Sequence, residues 1–490
     1  MTETGPVRRG LVVLVVGGVL AAAAIAGEAV KAPRPEAAFA TRPDAVLAGP
    51  LVPPANTLST AWYCAAGNAD GEGFDEMVAV VNAGEEPVRA SVTVLSDGTV
   101  EGRERVEVKP RSRVQVRVAD VAPVANPGVV VEIFGGGAAV EHVLEGGGDL
   151  ATSPCARRPS TRWMFAGGTT VRGARDELHL LNPFDEDAIV DMAFYSEDGA
   201  SRPQDLQAFV VPARSRVSVM VHDHVLRKRL VAAEVQARVG RIVAERTTQF
   251  TGGGGRRGLA LALGATESAP NWAFPEGLVG ARVIEEIWIF NPGRTDTEVE
   301  VTAEPADGGV AEPQVVPVPS RSAVAVRINK VLEEGAHAVF VQAIGSADVV
   351  AQQAIVARTG SPRIGFSVAP GIPRASTRWV FPAGSADDVH DEWITVRNPG
   401  AEDVSFTISV LAGGVALVPE GLGNLTVEAG SRRAVRMGDA LKRSDLPVLV
   451  EAEAPLEAVR GFYRATEGVS VEPGIPFERD VVASAERSTI

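Results

Sequence analysis

Apolar and polar residues alternate along most of the chain after residue 60. Val88–Val94 and Val114–Val118 are period-two strings, and turn residues such as Ser96-Asp97-Gly98 end them. Successive side chains of a β-strand point to opposite faces, so short strings of this kind with turn signals every 8 to 12 residues or so predict antiparallel sheets. The sequence therefore predicts an all-β fold of sandwiches with about seven or eight strands each and little helix.

A set of landmarks recurs four times in the same order. A tryptophan is followed after 19 or 20 residues by an asparagine that ends an apolar run, and 30 to 33 residues later by a serine next to arginine. An internal repeat of this kind indicates that one module was copied along the chain. The tryptophans are Trp62, Trp163, Trp272 and Trp379, and the asparagines are Asn82, Asn182, Asn291 and Asn398.

The spacing between the tryptophans (101, 109 and 107 residues) leaves room for a hydrophobic core in each copy. We predict four tandem antiparallel β-sandwich (immunoglobulin-like) repeats after an N-terminal transmembrane or signal segment. A propeller is the competing fold, but its blades usually have about half this period. The predicted parts are 1–27 (signal anchor or signal peptide), 28–58 (Ala/Pro-rich tether), 59–158, 159–268, 269–374 and 375–482 (the four repeats) and 483–490 (C-terminal tail).

The N-terminus has the pattern of an export signal. Arg8 and Arg9 precede an unbroken apolar run of 16 residues at 11–26. Ala24-Ile25-Ala26 fits a small-x-small cleavage site, so cleavage after Ala26 would release a secreted protein. Alternatively, the run stays in the plasma membrane as a single anchor, although it lies just under the usual span. In both cases we expect the remaining chain to be extracytoplasmic.

The landmarks have structural explanations. Asparagine before Pro-Gly suits a tight turn, and each tryptophan is expected to plug the end of a sandwich or the junction with its neighbour. An acidic pair precedes the asparagine strand in every copy, and we interpret these charges as a guard against edge-to-edge association. The pairs are Asp75-Glu76, Asp176-Glu177, Glu285-Glu286 and Asp391-Glu392.

The only two cysteines, Cys64 and Cys155, both lie in the first repeat. If the first and last strands of that repeat are neighbours, the thiols can meet, and an exported location favours their oxidation. We predict a structural disulfide that closes a loop of 91 residues (155 minus 64), which contributes about 4 to 5 kcal/mol in the chain-entropy model.

A search for chemistry yields no catalytic, cofactor-binding or metal residue and no cofactor. The formal charge of −15 argues against binding nucleic acid through broad electrostatics. His222-Asp223-His224 lacks a third ligand, and Asn68–Gly73 departs from the calcium-loop pattern. Gly252–Gly258 lacks the Lys-Ser/Thr pair of a phosphate loop, so we interpret it as a flexible hairpin or linker. A glycosidase pair depends on the separation of two carboxylates in space, which the repeat does not reveal.

The start Trp62-Tyr63-Cys64, the later Cys155 and the repeated Asn-Pro-Gly and Pro-x-x-Ser-Arg phrases resemble an uncharacterised group of actinobacterial exported or membrane-anchored proteins ("large secreted protein", with a domain of unknown function). The resemblance covers nearly all of the chain beyond the tether. It implies an envelope location and carries no catalytic residues.

The sequence thus favours a non-enzymatic envelope protein that binds or scaffolds. The expected partner is cell-wall polysaccharide or another envelope protein, with the membrane reached through the N-terminal segment. The alternative is an enzyme or accessory subunit acting on envelope glycans, with carboxylates gathered in a cleft between repeats. A third reading is a purely mechanical spacer, which predicts neither a pocket nor a patch.

Overall fold

The computed structural model describes residues 49–71, 73–306, 308–464 and 467–483. The described chain is all-β, and all of its paired strands are antiparallel, as predicted from the alternating strings. The predicted signal segment, tether residues 28–48 and most of the predicted tail lie outside the described residues. Within the described ranges, no helix is long and apolar enough to cross a membrane.

The strands form sheets that come in pairs, and the two sheets of a pair share one hydrophobic cluster. This arrangement is consistent with β-sandwiches, and we call each pair a module. In the first module, for example, Val92 and Val131 of one sheet pack in the same cluster as Val78 and Val140 of the other. All four side chains are fully buried.

The modules have the following strands. The first contains β1 (Thr60–Cys64), β2 (Asp75–Asn82), β3 (Val88–Ser96), β4 (Thr99–Val108), β5 (Ser112–Arg117), β6 (Gly128–Phe134), β7 (Ala138–Gly146) and β8 (Asp149–Pro154). The second contains β9 (Arg162–Phe165), β10 (Ala174–Asn182), β11 (Ala188–Ser196), β12 (Gly199–Ser201), β13 (Phe209–Val211), β14 (Ser215–Met220), β15 (Val231–Val239), β16 (Val243–Thr251) and β17 (Arg257–Leu263).

The third module contains β18 (Asn271–Val279), β19 (Val283–Asn291), β20 (Thr297–Pro305), β21 (Gln314–Val318), β22 (Ser322–Arg327), β23 (Gly335–Ala343), β24 (Val350–Ala357) and β25 (Gly365–Pro370). The fourth contains β26 (Arg374–Phe381), β27 (His390–Arg397), β28 (Val404–Ala412), β29 (Val415–Leu417), β30 (Leu425–Val427), β31 (Arg432–Arg436), β32 (Val448–Arg464), β33 (Val469–Pro473), β34 (Ile475–Pro476) and β35 (Val481–Ala483). Strand β32 is long enough to belong to both sheets of this module.

In the described ranges, helix is limited to single turns. Three of them follow equivalent strands of the first, second and fourth modules: α1 (Val118–Val121), α2 (Val221–His224) and α3 (Met437–Ala440). A 3-10 turn (Ile328–Lys330) has this place in the third module. Two further 3-10 turns are Gln204–Leu206 and Gly253–Gly255.

The strand order within a module differs from that of an immunoglobulin domain. In the first module the orders are β1-β6-β3-β4 and β5-β2-β7-β8. In an immunoglobulin domain the first strand pairs with the second, and the last pairs with the sixth. Here β1 pairs with β6, while β7 and β8 extend the sheet beside β2. The immunoglobulin-like part of the prediction is therefore not confirmed. Strand order depends on contacts between residues distant in sequence, which the alternating strings do not specify.

The modules close a ring. The end strands β8, β17, β25 and β33 contact one another in cyclic order, so that β33 of the fourth module contacts β8 of the first. At this closing contact the N–H of Thr152 donates to Ser470 Oγ at 3.0 Å. Between β17 and β25 the backbones approach so closely that a side chain at Gly258 would clash with the backbone nitrogen of Phe366.

Residues 49–58, which the sequence assigns to the tether, pack on the ring. Val52 is buried and forms a parallel bridge with Phe477 of the fourth module. The carbonyl of Pro53 accepts the N–H of Gly137 in the first module at 2.9 Å. This short stretch therefore joins the two modules at which the ring closes.

Candidate functional site at the module junctions

Each landmark asparagine is buried and holds the turn that follows its strand. Oδ1 of Asn82 accepts the N–H of Gly84 at 2.9 Å, and Nδ2 donates to the carbonyls of Glu86 and Val108 at 2.8 and 3.1 Å. Because Val108 ends a strand of the other sheet, this one side chain links the two sheets. The same three bonds are made by Asn182, Asn291 and Asn398.

The landmark tryptophans are in the core, with at most 2 % of their surface exposed. Three of them are tied to the backbone by their indole N–H groups. The indole N–H groups of Trp163, Trp272 and Trp379 donate to the carbonyls of Ile242, Val349 and Leu456 at 2.8, 2.9 and 3.0 Å. Like the asparagines, the four tryptophans are buried structural residues of their modules.

The Arg-Ser phrase has two functions in the architecture. Its first arginine takes the left-handed backbone conformation at Arg111, Arg214 and Arg321, and Gly430 has this place in the fourth copy. The residue after the serine makes a hydrogen bond to the module that precedes its own in the ring.

The three contacts of this second kind are equivalent. Arg113 donates to the carbonyl of Gly384 at 3.1 Å, Arg216 to that of Gly67 at 3.1 Å and Arg432 to that of Pro275 at 2.8 Å. The third module has Ala323 in this position, so its junction with the second is built differently.

One member of each acidic pair is buried, which contradicts the interpretation of these pairs as guard charges. The buried members lie six residues before the asparagine and are Glu76, Asp176, Glu285 and Glu392. Most of these carboxylates have hydrogen-bonding partners in the interior, and such partners offset the cost of burying a charge. Asp176 accepts two bonds of 2.7 Å from Arg246 and the N–H of Thr169 at 2.8 Å.

The junction of the first two modules contains a buried histidine between two carboxylates. Nδ1 of His142 is hydrogen-bonded to Glu76 at 3.1 Å, and Nε2 lies 3.2 Å from Glu245 of the second module. Burial alone would lower the pKa of His142, but the two carboxylates outweigh it and raise the pKa to about 10. Glu245 also accepts the N–H groups of Ala65 and Ala66 at 2.8 and 2.6 Å. The junction is therefore held by a buried imidazolium.

Cys64 and Cys155 form a disulfide beside this histidine, which confirms the predicted pairing. The backbones of Tyr63 and Ala156 bond to each other there, so the first strand and the end of the last are neighbours, as the prediction required. The two sulfurs and a nitrogen of His142 lie within 4.8 Å of one another. Because both sulfurs are in the disulfide, this cluster offers no thiolate to a metal ion.

The first cleft, of about 760 Å³, opens beside this junction. Its walls are the loop after β1 and the β7–β8 turn of the first module, and β10, β16 and β17 of the second. Phe74 and Phe250 add apolar surface. The charged and polar side chains of the cleft include Asp149, Glu177, His179, Arg216, Gln249 and Arg257, with Asp70 and Arg175 farther along its lining.

The base of the first cleft is hydrogen-bonded and carries a defined charge. Arg216 donates to Nδ1 of His179, so the imidazole proton is on Nε2, which donates to Thr247 Oγ1 at 2.7 Å. Burial and the adjacent guanidinium hold the pKa of His179 well below its usual value. Burial also lowers the pKa of Arg216 to about 10, which still leaves this arginine charged at neutral pH. The cleft therefore offers a fixed cation next to a neutral imidazole.

The second cleft, of about 400 Å³, occupies the equivalent place between the second and third modules. Glu286 lies five residues before its asparagine, as Glu177 does in the first cleft. The position of His179 is taken by Trp288, whose indole packs closely over Gly167 of the second module. The remaining polar lining is mostly arginine: Arg229, Arg256, Arg327 and Arg358.

The glycine-rich stretch 252–258 contributes to both clefts. It forms the hairpin between β16 and β17. Arg256 lines the second cleft, and Arg257, the next residue, lines the first. Sequence reasoning predicted the hairpin but missed these two residues; adjacent arginines in a stretch that leads into a strand, where successive side chains point to opposite sides, were the available signal.

The other histidine cluster stays a surface feature. His222 and His224 lie on α2, and His224 Nδ1 is 3.5 Å from Asp205. Neither imidazole forms a potential metal-binding group with other described residues.

Comparison with known proteins finds a family of unknown function (DUF5719), whose profile matches residues 145–381. This range runs from the end of β7 through the second and third modules to the end of β26 and includes every described residue that lines the second cleft. It fits an uncharacterised family, as the resemblance implied. No curated protein matches the chain.

Solved structures give partial likenesses. The Anabaena sensory rhodopsin transducer is 26 % identical, covers 18 % of this chain and 83 % of its own, and has a TM-score of 0.16. Thermotoga maritima 1070 is 18 % identical over 21 % of this chain and 94 % of its own, with a TM-score of 0.20. The Streptomyces avermitilis α-L-rhamnosidase is 10 % identical over 82 % of this chain and 55 % of its own, with a TM-score of 0.12. Such scores carry no argument about function.

Proposed function

We propose that the chain is a non-enzymatic envelope protein that binds or scaffolds outside the cytoplasm through four tandem copies of one β-sandwich module. Its N-terminal segment anchors it in the plasma membrane or is cleaved after Ala26. The Cys64–Cys155 disulfide supports this location, because such bonds persist in oxidising compartments. The ligand is envelope polysaccharide, and another envelope protein is the alternative partner.

The observation that carries the proposal is the chemistry of the first cleft. A saccharide presents hydroxyl groups that both donate and accept hydrogen bonds, on a ring with apolar faces. Gln249 supplies both functions, Arg257 and Arg216 donate, and Asp149 accepts. Phe74 provides half-buried apolar surface nearby. A concave site with a few fixed polar groups is typical of small-ligand recognition.

Retention of the full-length protein on purified wall polysaccharide tests this proposal. Gln249→Ala removes a cleft side chain without opening the core, and we expect it to weaken binding about fivefold to tenfold. The matched control is Gln236→Ala, which removes an exposed glutamine on the other sheet of the same module. No retention of the unmodified protein, or equal retention of both variants, would contradict the proposal.

A second candidate is an enzyme that acts on envelope glycans, and Asp149 is the observation that favours it. Its carboxyl group is buried at the cleft, with Oδ1 making no hydrogen bond to described residues. Burial raises the pKa of Asp149, although Arg257 opposes this shift. A carboxyl group with a raised pKa is what a general acid requires, and Glu177 supplies a second carboxylate in the same cleft.

The two candidates differ in what happens to the polysaccharide. An enzyme would release reducing ends, and Asp149→Asn would abolish the release while leaving retention in place. The control is Glu333→Gln, an exposed carboxylate of the third module. If the polysaccharide keeps its chain length during prolonged incubation with the unmodified protein, the enzyme candidate is wrong.

A further inference from the structure

The second cleft concentrates positive charge in a chain whose net charge is −15. Among the described residues, four arginines line it, and Glu286 is its single carboxylate. Four guanidinium groups minus one carboxylate leave a local charge of +3. This local positive charge is opposite in sign to the net charge of the protein, so its cause must lie within the cleft itself.

Two of the arginines share the one carboxylate. Nη2 of Arg327 lies 3.0 Å from Oε1 of Glu286, and Nη2 of Arg229 lies 3.6 Å from the same oxygen. Glu286 Oε2 also accepts the indole N–H of Trp288 at 3.2 Å. The carboxylate is therefore fully engaged, while each guanidinium retains further donors.

The other two arginines have no carboxylate partner in the described part of the chain. The guanidinium of Arg256 lies 4.6 Å from the centre of the Phe250 ring. Burial, together with the like charge of Arg358, lowers the pKa of Arg256. Two like charges without a counter-ion destabilise each other, and an anion bound in the cleft would remove that cost.

The architecture of the ring does not require Arg358. The backbone register shows that Phe250 and Ala357 occupy equivalent places in their strands. Thr251 of the first cleft, which follows Phe250, is therefore the counterpart of Arg358, which follows Ala357. By the same register, Gln249 corresponds to Val356. The first cleft is thus built on the same strands without the arginine, so the charge is specific to the second.

We propose that the second cleft binds a phosphate monoester with a small organic body. Guanidinium groups match phosphate oxygens in fork geometry, and a monoester with a charge of about −1.5 to −2 offsets more of the +3 than a single carboxylate does. Trp288, Phe250 and Phe366 form an apolar floor for the carbon body. A volume of about 400 Å³ suits a ligand of the size of a sugar phosphate.

Calorimetric titration of the full-length protein with glucose 1-phosphate, and with glucose as the neutral counterpart, tests the proposal. We expect the ester to bind, glucose not to bind, and the affinity for the ester to fall with rising salt. Arg358→Thr, which installs the residue of the first cleft, is expected to weaken binding about tenfold or more. Arg256→Gln should do the same.

The control is Arg294→Gln, which makes the same change of charge at an exposed turn of the third module. Glu286→Gln raises the local charge to +4 and should strengthen binding, an effect that mere loss of folding cannot produce. Absence of ester binding, or an equal effect of Arg294→Gln and Arg358→Thr, would overturn the proposal.

The phosphate monoester can be a free sugar phosphate or the phosphorylated end of an envelope glycan. Retention on wall polysaccharide that phosphatase treatment abolishes, and that Arg358→Thr also abolishes, assigns the glycan end. Binding of glucose 1-phosphate with phosphatase-insensitive retention assigns the free ester. This site is independent of the role proposed for the first cleft, because Gln249→Ala is expected to leave ester binding unchanged.

Discussion

Nε2 of His142 lies 3.2 Å from Oε1 of Glu245, although the two residues belong to different modules. Both side chains are fully buried. Removing one partner of a buried ion pair leaves the other charge uncompensated, which is more costly than the net contribution of the pair. The first junction of the ring therefore depends on the protonation of one imidazole.

His142→Gln is expected to lower the free energy of unfolding by about 3 to 5 kcal/mol near pH 6. The folded-state pKa is raised from 6.5 to about 10. The stabilisation is therefore fully present below pH 6.5 and is lost as the pH rises towards 10. Urea unfolding at pH 6 and pH 10 should show the difference between variant and unmodified protein shrinking at the higher pH. His222→Gln, a half-exposed histidine, is the control, and a pH-independent difference would contradict the argument.

Glu392 should make the protein less stable as the pH rises through neutrality. Its carboxyl oxygens accept no hydrogen bond from a described side chain, and burial raises its pKa to about 8, although Arg460, Arg113 and the backbone N–H of Ser385 act against the shift. Between about pH 4.5 and 8 the folded state binds the proton that the unfolded state releases, so stability falls by up to about 1.4 kcal/mol per pH unit.

Glu392→Gln should remove this slope and raise the melting temperature at pH 9 while leaving it nearly unchanged at pH 4. Thermal melts across this range give the measurement. Glu402→Gln, at an exposed turn of the same module, should leave the slope in place. If both variants follow the unmodified protein at pH 9, Glu392 does not titrate as described.

The disulfide should contribute about 4 to 5 kcal/mol, because it closes a loop of 91 residues in the unfolded chain. Cys64→Ser with Cys155→Ser is expected to lower stability by this order and to make the protein insensitive to reductant. The unmodified protein should lose similar stability when it is reduced. Two free thiols in the unreduced, denatured protein would refute the pairing.

Features set by local chemistry could be predicted from the sequence. The alternating strings predicted antiparallel strands, and the turn after Asn82 follows from an asparagine whose side chain bonds to its own backbone. The Cys64–Cys155 pairing needed only the assumption that the first and last strands of a module are neighbours.

Features that depend on the closure of the ring could not be predicted. Glu76 finds its partner His142 66 residues away, and Glu245 lies in another module. When those contacts are unknown, the sequence does not distinguish a buried acidic residue in a strand from a solvent-exposed one. Arg256 and Arg257 are likewise adjacent in sequence, but they line different clefts because β17, which begins at Arg257, lies against the end strands of the modules on both sides.

The landmark asparagine should be equally sensitive in every copy, and Asn291 shows why. Its side chain satisfies the N–H of Gly293 and the carbonyls of Thr295 and Val318. Asn291→Ala leaves these buried groups without partners, at a cost of at least about 2 kcal/mol in urea unfolding. Asn291→Asp retains the acceptor for Gly293 but places a carboxylate against two carbonyl oxygens, so it should be at least as destabilising. If the aspartate variant were as stable as the unmodified protein, the donors of the asparagine would contribute nothing, and its role in linking the two sheets would have to be abandoned.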